Sequence, residues 1–513
     1  MATPLAPDAT VAVLGAGAMG AGIAQVAAQA GHRVLLYDAR TGAAEEAKRN
    51  LARTFEALAA KGRMSADDAR AAVSRVEPVH TPGACVSAKL VVEAIVEDLE
   101  TKRDLFRDLE VVVAPEAILA SNTSSLSITS LAAGMKHPGR IAGLHFFNPA
   151  PLMPLVEVVR GLATDPRVLD TLHATAAAWG KTPVHAMSTP GFIVNRCARP
   201  FYGEALRLLA ERAADVATID AVMRDGGGFR MGPFELMDLI GHDVNYAVTK
   251  SVWEATYHDP RYAPSGLQRE LVAAGYLGRK SGRGFYDHAP GAVQPFPAVA
   301  NPAKAPARIA MHGEPGALRP LLDRLASAGM SVQRRPVHPS FPDGAIDAGA
   351  AWIALTDGRT ATARAVATGT PNLVLVDLAH DYASAKRLAI ATSAGCDPAA
   401  ALVATGALQE AGFAISPLDD VAGLVVMRTV AMLVNEAAEA ATQGVATPAD
   451  IDLAMLKGVN YPRGPLAWGE AIGAARVAAV IANLGAHYGE DRYRVAPRLA
   501  RSAQSDGRLL DAG

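Results

Sequence analysis

A short apolar segment followed at once by spaced glycines constrains this chain more than any other feature. Residues 10–14 read as a strand. The glycines that follow directly have the spacing G-x-G-x-x-G: Gly15, Gly17 and Gly20. An Ala-rich helix over 21–30 comes next, and a second apolar strand over 33–37 ends on Asp38. This order of strand, glycine turn, helix, strand and acid is typical of a dinucleotide-binding unit in a parallel sheet.

Each position of the motif has a physical reason. Gly15 permits the tight turn, Gly17 lets backbone amides approach a pyrophosphate, and Gly20 lets the helix pack close to the strand. The helix N-terminus offers free N–H groups and a positive dipole end to phosphates. Asp38 is placed to accept the ribose hydroxyls and would repel a 2′-phosphate, which favours NAD over NADP. The alternative is a glycine-rich turn beside a solvated aspartate.

Polar residues also follow three later apolar strands. Strand 90–92 leads to Glu93 and Glu97, strand 117–120 to Ser121-Asn122-Thr123-Ser124-Ser125, and strand 141–144 to His145. Because ligands of open parallel sheets bind outside the carboxyl ends of the strands, we expect these clusters to share one edge. For the Ser/Asn-rich loop alone, ordinary turn chemistry is the alternative.

One carboxylate interrupts the apolar strand 155–159, at Glu157. A buried, unpaired carboxylate is very costly, so Glu157 needs a partner or a proton. His145 is the candidate, and such a pair can fix the imidazole tautomer and stabilise the imidazolium after His145 takes a proton. The alternative places Glu157 on an edge strand facing water and makes His145 a satisfied core residue.

Composition excludes several classes of protein. Half of the residues are hydrophobic and 19% are charged, as in globular proteins. Lys and Arg (49) nearly balance Asp and Glu (51), so nothing favours binding to nucleic acid or an anionic membrane, and no apolar run is long enough to span a bilayer. The cysteines Cys85, Cys197 and Cys396 are odd in number and far apart. We therefore expect no disulfide framework, no metal site and a cytoplasmic protein.

The chain resembles the 3-hydroxyacyl-CoA dehydrogenases in several ordered motifs between residue 10 and about residue 287. The matching stretches are residues 15–25, 92–97, 121–126 (Ser-Asn-Thr-Ser-Ser-Leu), 145–149 (His-Phe-Phe-Asn-Pro), 190–196 and 279–286. This resemblance implies an NAD-dependent oxidation of the (S)-3-hydroxyl of an acyl-CoA. It implies an α/β Rossmann-type NAD-binding domain followed by an all-α domain.

The resemblance also implies roles for single residues. The His–Glu dyad of the family falls on His145 and Glu157, and the substrate contacts fall on Ser124 and Asn195. Positions that contact the nicotinamide end of the cofactor fall on Glu97 and Lys102, together with Ser124. The remaining cofactor residues implied are Gly15, Gly17, Met19, Gly20 and Asp38.

The chain repeats itself at a constant offset (423 − 191 = 232). Gly191-Phe-Ile-Val-Asn-Arg matches Gly423-Leu-Val-Val-Met-Arg, Gly232-Pro233 matches Gly464-Pro465, and Ile240-Gly241 matches Ile472-Gly473. A constant offset without gaps indicates duplication rather than shared composition. In this register His145 becomes Asp377, Glu157 becomes Ala389 and Asn195 becomes Met427.

A shortened, degenerate Rossmann-like unit is predicted before the second all-α repeat. It begins with a strand over 307–312, a helix over 317–328 and a strand over 330–333, after which Arg334 and Arg335 replace the cofactor acid. We therefore expect one active site per chain. The predicted domains are 1–189 (Rossmann), 190–288 (helical), 289–306 (Pro-rich linker), 307–421 (degenerate Rossmann-like) and 422–513 (second helical repeat).

The two-repeat length narrows what the resemblance implies. Family members of this length include enzymes of phenylacetate catabolism that act on 3-hydroxyadipyl-CoA, and others that act on 3-hydroxybutyryl-CoA. In short members two helical domains pack as a dimer, so this chain is expected to be a homodimer or a pseudo-dimeric monomer.

Two other functions compete with this hypothesis. An NAD-dependent dehydrogenase of a free hydroxy acid usually has a lysine base in its helical domain, so the spacing of His145 and Glu157 argues against it. A non-enzymatic NAD-binding structural protein would not need Ser124, His145, Glu157 and Asn195 together.

Overall fold

The computed structural model describes residues 3–505 and 507–511. These residues form two compact units. The first contains 3–196 together with 443–459, and the second contains 197–442 together with 460–511. A short piece of the second helical repeat therefore folds with the first unit, and the five domain ranges expected from the sequence stay predictions.

An eight-stranded sheet forms the centre of the first unit, in the order β3-β2-β1-β4-β5-β6-β7-β8. Its strands are β1 (Thr10–Leu14), β2 (Val34–Tyr37), β3 (Val76–Val79), β4 (Ala88–Glu93), β5 (Ile118–Ser121), β6 (Ile141–Phe146), β7 (Leu155–Arg160) and β8 (Thr182–Met187). All neighbours are parallel except β6 and β7. The order reverses at β1, and this switch point is where open α/β sheets bind ligands.

The helices of the chain alternate with strands and then follow one another in the helical repeats. They are α1 (Ala18–Gln29), α2 (Ala43–Ala60), α3 (Ala66–Arg75), α4 (Leu99–Val112), α5 (Ile128–Ala132), α6 (Pro166–Ala178), α7 (Val194–Cys197), α8 (Arg199–Ala210), α9 (Val216–Ala221), α10 (Pro233–Ile240), α11 (His242–Ala255), α12 (Gly266–Ala273), α13 (Arg319–Ser327), α14 (Ala361–Thr368), α15 (Pro398–Glu410), α16 (Val426–Thr442), α17 (Pro448–Gly458), α18 (Pro465–Ile472), α19 (Ala474–Tyr488) and α20 (Pro497–Gln504). Among the described residues no single helix is long and apolar enough to cross a membrane, and α18 with α19 meets that test only as a pair bent by 97°.

The core of the first unit explains its apolar strands. In β1, residues 11–14 have no exposed surface, and β4 and β5 are similarly buried. Strands that are covered on both faces consist of consecutive apolar residues, so they can be recognised in the sequence. Helix α17 packs on β7 and β8, where a Cβ on Gly458 would lie 2.6 Å from the Leu155 side chain.

A seven-stranded sheet in the second unit has the order β10-β9-β11-β12-β13-β14-β15. Its strands are β9 (Arg308–His312), β10 (Ser331–Arg335), β11 (Ala345–Asp347), β12 (Trp352–Leu355), β13 (Leu373–Val376), β14 (Arg387–Thr392) and β15 (Ala414–Pro417). The predicted second Rossmann-like unit is confirmed. Several of its strands were not predicted, among them β11, which lies antiparallel between β9 and β12 because only a short turn-rich connection stands there in place of a crossover helix.

The duplication is visible in the backbone itself. In the first sheet Leu144 pairs with Val158, and in the second Val376 pairs with Ile390, each shifted by the same offset. The turns before α7 and α16 repeat an unusual conformation, with positive φ at Gly191 (74°) and Phe192 (47°) and again at Gly423 (79°) and Leu424 (55°). Only a true duplication explains such agreement at non-glycine positions.

Within the second unit the two helical repeats pack together around buried ion pairs. Helix α8 lies against α16, and the fully buried Arg428 donates to Glu204 at 2.8 Å and to Glu211 at 3.0 Å. The contacts are reciprocal between repeats. The Tyr493 hydroxyl donates to Glu204, and the Tyr262 hydroxyl donates to Glu436. Each repeat thus supplies a tyrosine to a glutamate of the other.

Candidate active site

The glycine turn after β1 leaves no room for a side chain at its first and third glycines. Gly15 has φ +99°, and a Cβ there would lie 2.5 Å from the Ala94 carbonyl oxygen. A Cβ on Gly20 would lie 1.7 Å from the Gly15 carbonyl oxygen, so α1 and the turn touch directly. At Gly17, which precedes the first residue of α1, a Cβ would meet nothing within 4 Å. The space in front of the helix N-terminus is therefore open, as a pyrophosphate requires.

Asp38 is bound to this turn. Its Oδ2 accepts a hydrogen bond from the Ala16 amide at 2.7 Å, and its Oδ1 accepts one from the Arg40 amide at 2.8 Å. A cavity of about 340 Å³ lies next to Ala16 and Arg40. It is lined mainly by residues of the glycine turn, of α1 and of α2. These features fit the adenosine end of a dinucleotide. Met19 lies in the first turn of α1, which begins three residues earlier than predicted, and its contact with the cofactor stays a prediction.

A buried ion pair lies below the ends of β4 and β5. The Lys102 ammonium donates to both oxygens of Glu93, at 2.9 and 2.7 Å, and each side chain is at most 1% exposed. The Ser121 hydroxyl donates to the same carboxylate. Glu93 was recognised in the sequence only as a polar strand end. The pairing joins two strand ends and α4, which no local pattern reveals.

Glu97 organises the loop that follows β5. Its Oε1 accepts from the Thr123 hydroxyl at 2.6 Å, the Ser124 amide at 3.0 Å and the Ser125 hydroxyl at 2.9 Å. Burial raises the pKa of Glu97, but the hydrogen bond from Thr123, the charge of Lys102 and the bonds from the serines outweigh it and hold the pKa below its usual value. Glu97 is therefore an anion that fixes the serine loop.

The predicted cofactor role of Lys102 is not visible in its contacts. Its ammonium is 1% exposed and lies between Glu93 and Glu97, 3.4 Å from Oε2 of the latter. Lys102 positions the two acids, and its contact with the nicotinamide end stays a prediction.

His145 and Glu157 face each other across the antiparallel strands β6 and β7. They are direct partners in the register, and His145 Nδ1 lies 2.6 Å from Glu157 Oε2. Glu157 has no exposed surface and His145 is 5% exposed. Strand β7 lies between β6 and β8, so the alternative of an edge strand facing water is wrong.

The other oxygen of Glu157 is also bound. Its Oε1 accepts from the amides of Ile193 at 3.1 Å and Val194 at 3.0 Å, at the start of α7. The carboxylate thus meets both hydrogen-bond donors and the positive end of a helix. A carboxylate held in this way favours a proton on Nδ1 of His145, which leaves Nε2 as the basic nitrogen.

Aromatic rings flank the imidazole. The Phe147 ring centroid lies 4.5 Å from that of His145, and the Phe192 centroid lies 5.9 Å away. Phe192 was not recognised as a site residue, because its place depends on the left-handed turn before α7 rather than on a sequence pattern.

Ser124 and Asn195 lie beside each other, as predicted. The Asn195 side-chain amide donates to the Ser124 carbonyl at 3.3 Å. Asn122, from the same loop, accepts the Phe146 amide at 2.8 Å, which ties the loop to the strand that carries His145. The structure therefore brings His145, Glu157, Ser124 and Asn195 together within the first unit.

Comparison with known families assigns most of the chain. The 3-hydroxyacyl-CoA dehydrogenase NAD binding domain matches residues 10–189, and the C-terminal domain of that family matches residues 191–288 and again 423–509. A domain described as the 3-hydroxybutyryl-CoA dehydrogenase reduced Rossmann-fold domain matches residues 353–421.

Individual relatives agree with this assignment. The chain is 43% identical to a 3-hydroxyadipyl-CoA dehydrogenase of Escherichia coli over 98% of both chains. It is 41% identical to a probable 3-hydroxybutyryl-CoA dehydrogenase of Bacillus subtilis, over 54% of this chain and 96% of that one. A crystal structure of 3-hydroxybutyryl-CoA dehydrogenase from Escherichia coli K12 matches with a TM-score of 0.88 at 42% identity, covering 97% of this chain and 98% of that one.

Proposed function

Because the chain belongs to the 3-hydroxyacyl-CoA dehydrogenase family, we propose that His145 and Glu157 form the base for its reaction. The protein is an NAD-dependent oxidoreductase that converts a 3-hydroxyacyl-CoA into a 3-oxoacyl-CoA. The observation that carries the proposal is the 2.6 Å contact between two buried side chains, one of them a carboxylate that is held by backbone amides.

The proposed mechanism starts with His145. Its Nε2 removes the proton of the 3-hydroxyl group, and Glu157 stabilises the imidazolium that forms. NAD held by the glycine turn and Asp38 would supply the acceptor for the hydride from C3. Ser124 and Asn195 donate hydrogen bonds to the oxygen while it has alkoxide character, which lowers the energy of the transition state.

We assign the cofactor to the edge of the first sheet. Gly15, Gly17, Met19 and Gly20 leave space for the pyrophosphate at the N-terminus of α1, and Asp38 accepts the ribose hydroxyls. Glu97, Lys102 and Ser124 belong to the nicotinamide end. Since the second copy has Asp377, Ala389 and Met427 at the reaction positions, each chain has one active site.

For the substrate we propose (S)-3-hydroxyadipyl-CoA, with (S)-3-hydroxybutyryl-CoA as the second candidate. Support comes from the relative named for the adipyl thioester, which is similar over 98% of both chains. The second candidate rests on the crystal structure named for the butyryl thioester. The alternative substrate is a free hydroxy acid. Activity that requires the CoA thioester would exclude this alternative.

NADH absorbance tests this proposal. Purified protein with NAD should form NADH from at least one of the two CoA thioesters and not from the corresponding free hydroxy acids. Turnover of the free acids alone, or of none of these compounds, would contradict the proposed function.

We further propose a pseudo-dimeric chain in the cytoplasm. The reciprocal contacts of the two helical repeats, Tyr493 with Glu204 and Tyr262 with Glu436, support internal pairing of the repeats. A homodimer of such chains stays the alternative, and sedimentation at equilibrium distinguishes the two masses. The cytoplasmic location rests on the few and widely spaced cysteines.

A further inference from the structure

A closed ring of five side chains lies at the carboxyl ends of β4 and β5 and includes one residue of α4. Its members are Glu93, Glu97, Lys102, Ser121 and Thr123. The Ser121 hydroxyl donates to Glu93, and its oxygen accepts the Thr123 amide at 3.1 Å. The Thr123 hydroxyl donates to Glu97 at 2.6 Å, and Lys102 closes the ring between the two glutamates. Each member therefore fixes the position of its neighbours.

The lysine of this ring is shared unequally between the two glutamates. Its ammonium donates to both oxygens of Glu93, at 2.9 and 2.7 Å, and lies 3.4 Å from Oε2 of Glu97. Glu93 has no exposed surface and Lys102 is 1% exposed. A buried carboxylate and a buried ammonium in such close contact neutralise each other. Glu97 therefore receives only a small share of the positive charge.

Glu97 is the member of the ring that faces solvent. Its side chain is 38% exposed, whereas each of the other four is at most 1% exposed. Its carboxylate accepts the amide of Ser124, a residue of the proposed reaction centre, at 3.0 Å. Because the ring contains two carboxylates and one ammonium, it has one surplus negative charge, which lies at Glu97.

Charges next to the ring do not cancel this surplus. Asp98 is exposed and caps α4 with its own carboxylate, and Arg103 pairs with Glu100 at 2.8 Å. Among the described residues, Lys102 is the only cation that forms an ion pair with Glu97. Exposed charges are also screened more strongly by salt than the buried members of the ring. The surplus charge is therefore a property of the ring itself.

We propose that this ring sets the preference of the enzyme between the oxidised and the reduced cofactor. The proposal rests on the proposed function, which assigns the nicotinamide end of the cofactor to Glu97, Lys102 and Ser124. The nicotinamide ring of NAD carries one positive charge, and that of NADH carries none. A surplus negative charge at Glu97 therefore favours the binding of NAD over that of NADH.

Glu93 is the positioning residue of the ring. It has no exposed surface, so it contacts neither cofactor nor substrate, and it acts by binding the ammonium of Lys102. Without a charge on Glu93, the ammonium would neutralise Glu97 instead. The preference for NAD would then weaken, although every group at the surface of the site is retained.

Calorimetric titration measures this preference as the Kd for NADH divided by the Kd for NAD. Glu97→Gln should lower this ratio by roughly 3- to 30-fold, because the amide keeps an acceptor oxygen and loses the charge. Glu97→Asp keeps the charge, so the ratio should stay within about twofold of the wild type even where both affinities fall. Glu93→Gln should lower the ratio in the same direction as Glu97→Gln.

Two controls separate charge from shape. ADP-ribose, which has no nicotinamide ring, should bind to the wild type and to Glu97→Gln with Kd values within about twofold of each other. Glu100→Gln removes an exposed carboxylate of α4 and should leave the ratio of the two Kd values unchanged. Thermal melting followed by circular dichroism shows whether Glu93→Gln folds. If it does not fold, the comparison of Glu97→Gln with Glu97→Asp decides alone.

Three results would overturn the proposal. A ratio that stays the same in Glu97→Gln would contradict it and leave the proposed function standing. A ratio that falls equally in Glu97→Gln and Glu97→Asp would show that the shape of the loop, rather than the charge, is responsible. A folded Glu93→Gln with the ratio of the wild type would exclude Glu93 from this role. If neither NAD nor NADH binds to the wild type, the proposed function fails together with this proposal.

Discussion

Glu157 and Asp377 bind equivalent backbone amides although they occupy different positions in the two sheets. Glu157, on β7, receives the amides of Ile193 and Val194. Asp377 follows β13 at the position equivalent to His145, and it receives the amides of Val425 and Val426, at 3.0 and 2.7 Å. The second copy has thus kept the contact between sheet and helix start while losing the imidazole. In the first copy the same contact leaves one carboxylate oxygen for His145.

Glu157→Gln should reduce kcat by about 10²- to 10⁴-fold with little change in the affinity for NAD. The new amide nitrogen would face Nδ1 of His145 and favour the tautomer in which Nε2 carries the proton and is no longer a base. Stopped-flow NADH formation gives kcat, and NAD titration of the intrinsic fluorescence gives the affinity. Glu56→Gln, on α2, is the control. A loss of NAD affinity without a loss of kcat would contradict the account.

Asn195→Ala should lower kcat/KM by roughly 10- to 100-fold, because the alkoxide-like oxygen loses one hydrogen-bond donor. The carbonyl of Ser124 also loses its contact with the amide, but it lies in a half-exposed loop where water can replace that bond. Steady-state kinetics with the preferred thioester checks this. An unchanged kcat/KM would remove Asn195 from the site.

Asp38→Ser should raise the KM for NAD about tenfold or more and reduce the preference of the enzyme for NAD over NADP. The carboxylate that accepts the ribose hydroxyls and repels a 2′-phosphate is gone, and Arg40 lies two residues away. The Ala16 amide also loses its acceptor, so the glycine turn is less well held. The ratio of kcat/KM for the two cofactors is the readout, with Asp104→Ser as control. An unaltered ratio would argue against this placement of the adenosine end.

The stability of the second unit should depend on Asp377 and pH. Burial, partly offset by the amides of Met427, Val426 and Val425, raises the pKa of Asp377 to about 6 from a usual value of 3.8. Between these values the folded chain holds a proton that the unfolded chain has released, so stability falls as pH rises through about 6.

The comparison with Asp377→Asn isolates this titration. From pH 5 to pH 7 the Tm of the wild type minus that of the variant should fall by roughly 2–4 °C, since the variant cannot titrate there. Differential scanning calorimetry at several pH values measures the difference. A difference that rises with pH would show that the amides hold Asp377 ionised in the folded chain.

The sequence predicted that His145 and Glu157 lie together because its signals are local. A glycine turn, an acid at a strand end and one carboxylate inside an apolar strand each violate the ordinary pattern of their element, and His145 was the nearest partner for Glu157. The constant offset predicted which residues the second copy lacks, but not that Asp377 replaces Glu157 as the acceptor of the amides.

Contacts that join distant segments could not be predicted in the same way. The pair of Lys102 with Glu93 depends on how α4 lies over the sheet, and strand β11 depends on a short turn-rich connection. In each case the sequence shows the residue type, while the tertiary fold decides its partner.

The central claim is that His145, oriented by Glu157, removes the proton from the 3-hydroxyl group. The most direct test is a single-turnover measurement of NADH formation from (S)-3-hydroxyadipyl-CoA by wild type and His145→Ala, both saturated with NAD. The account predicts a rate at least about 10²-fold lower in the variant, with unchanged NAD affinity. A variant that forms NADH at the rate of the wild type would contradict it.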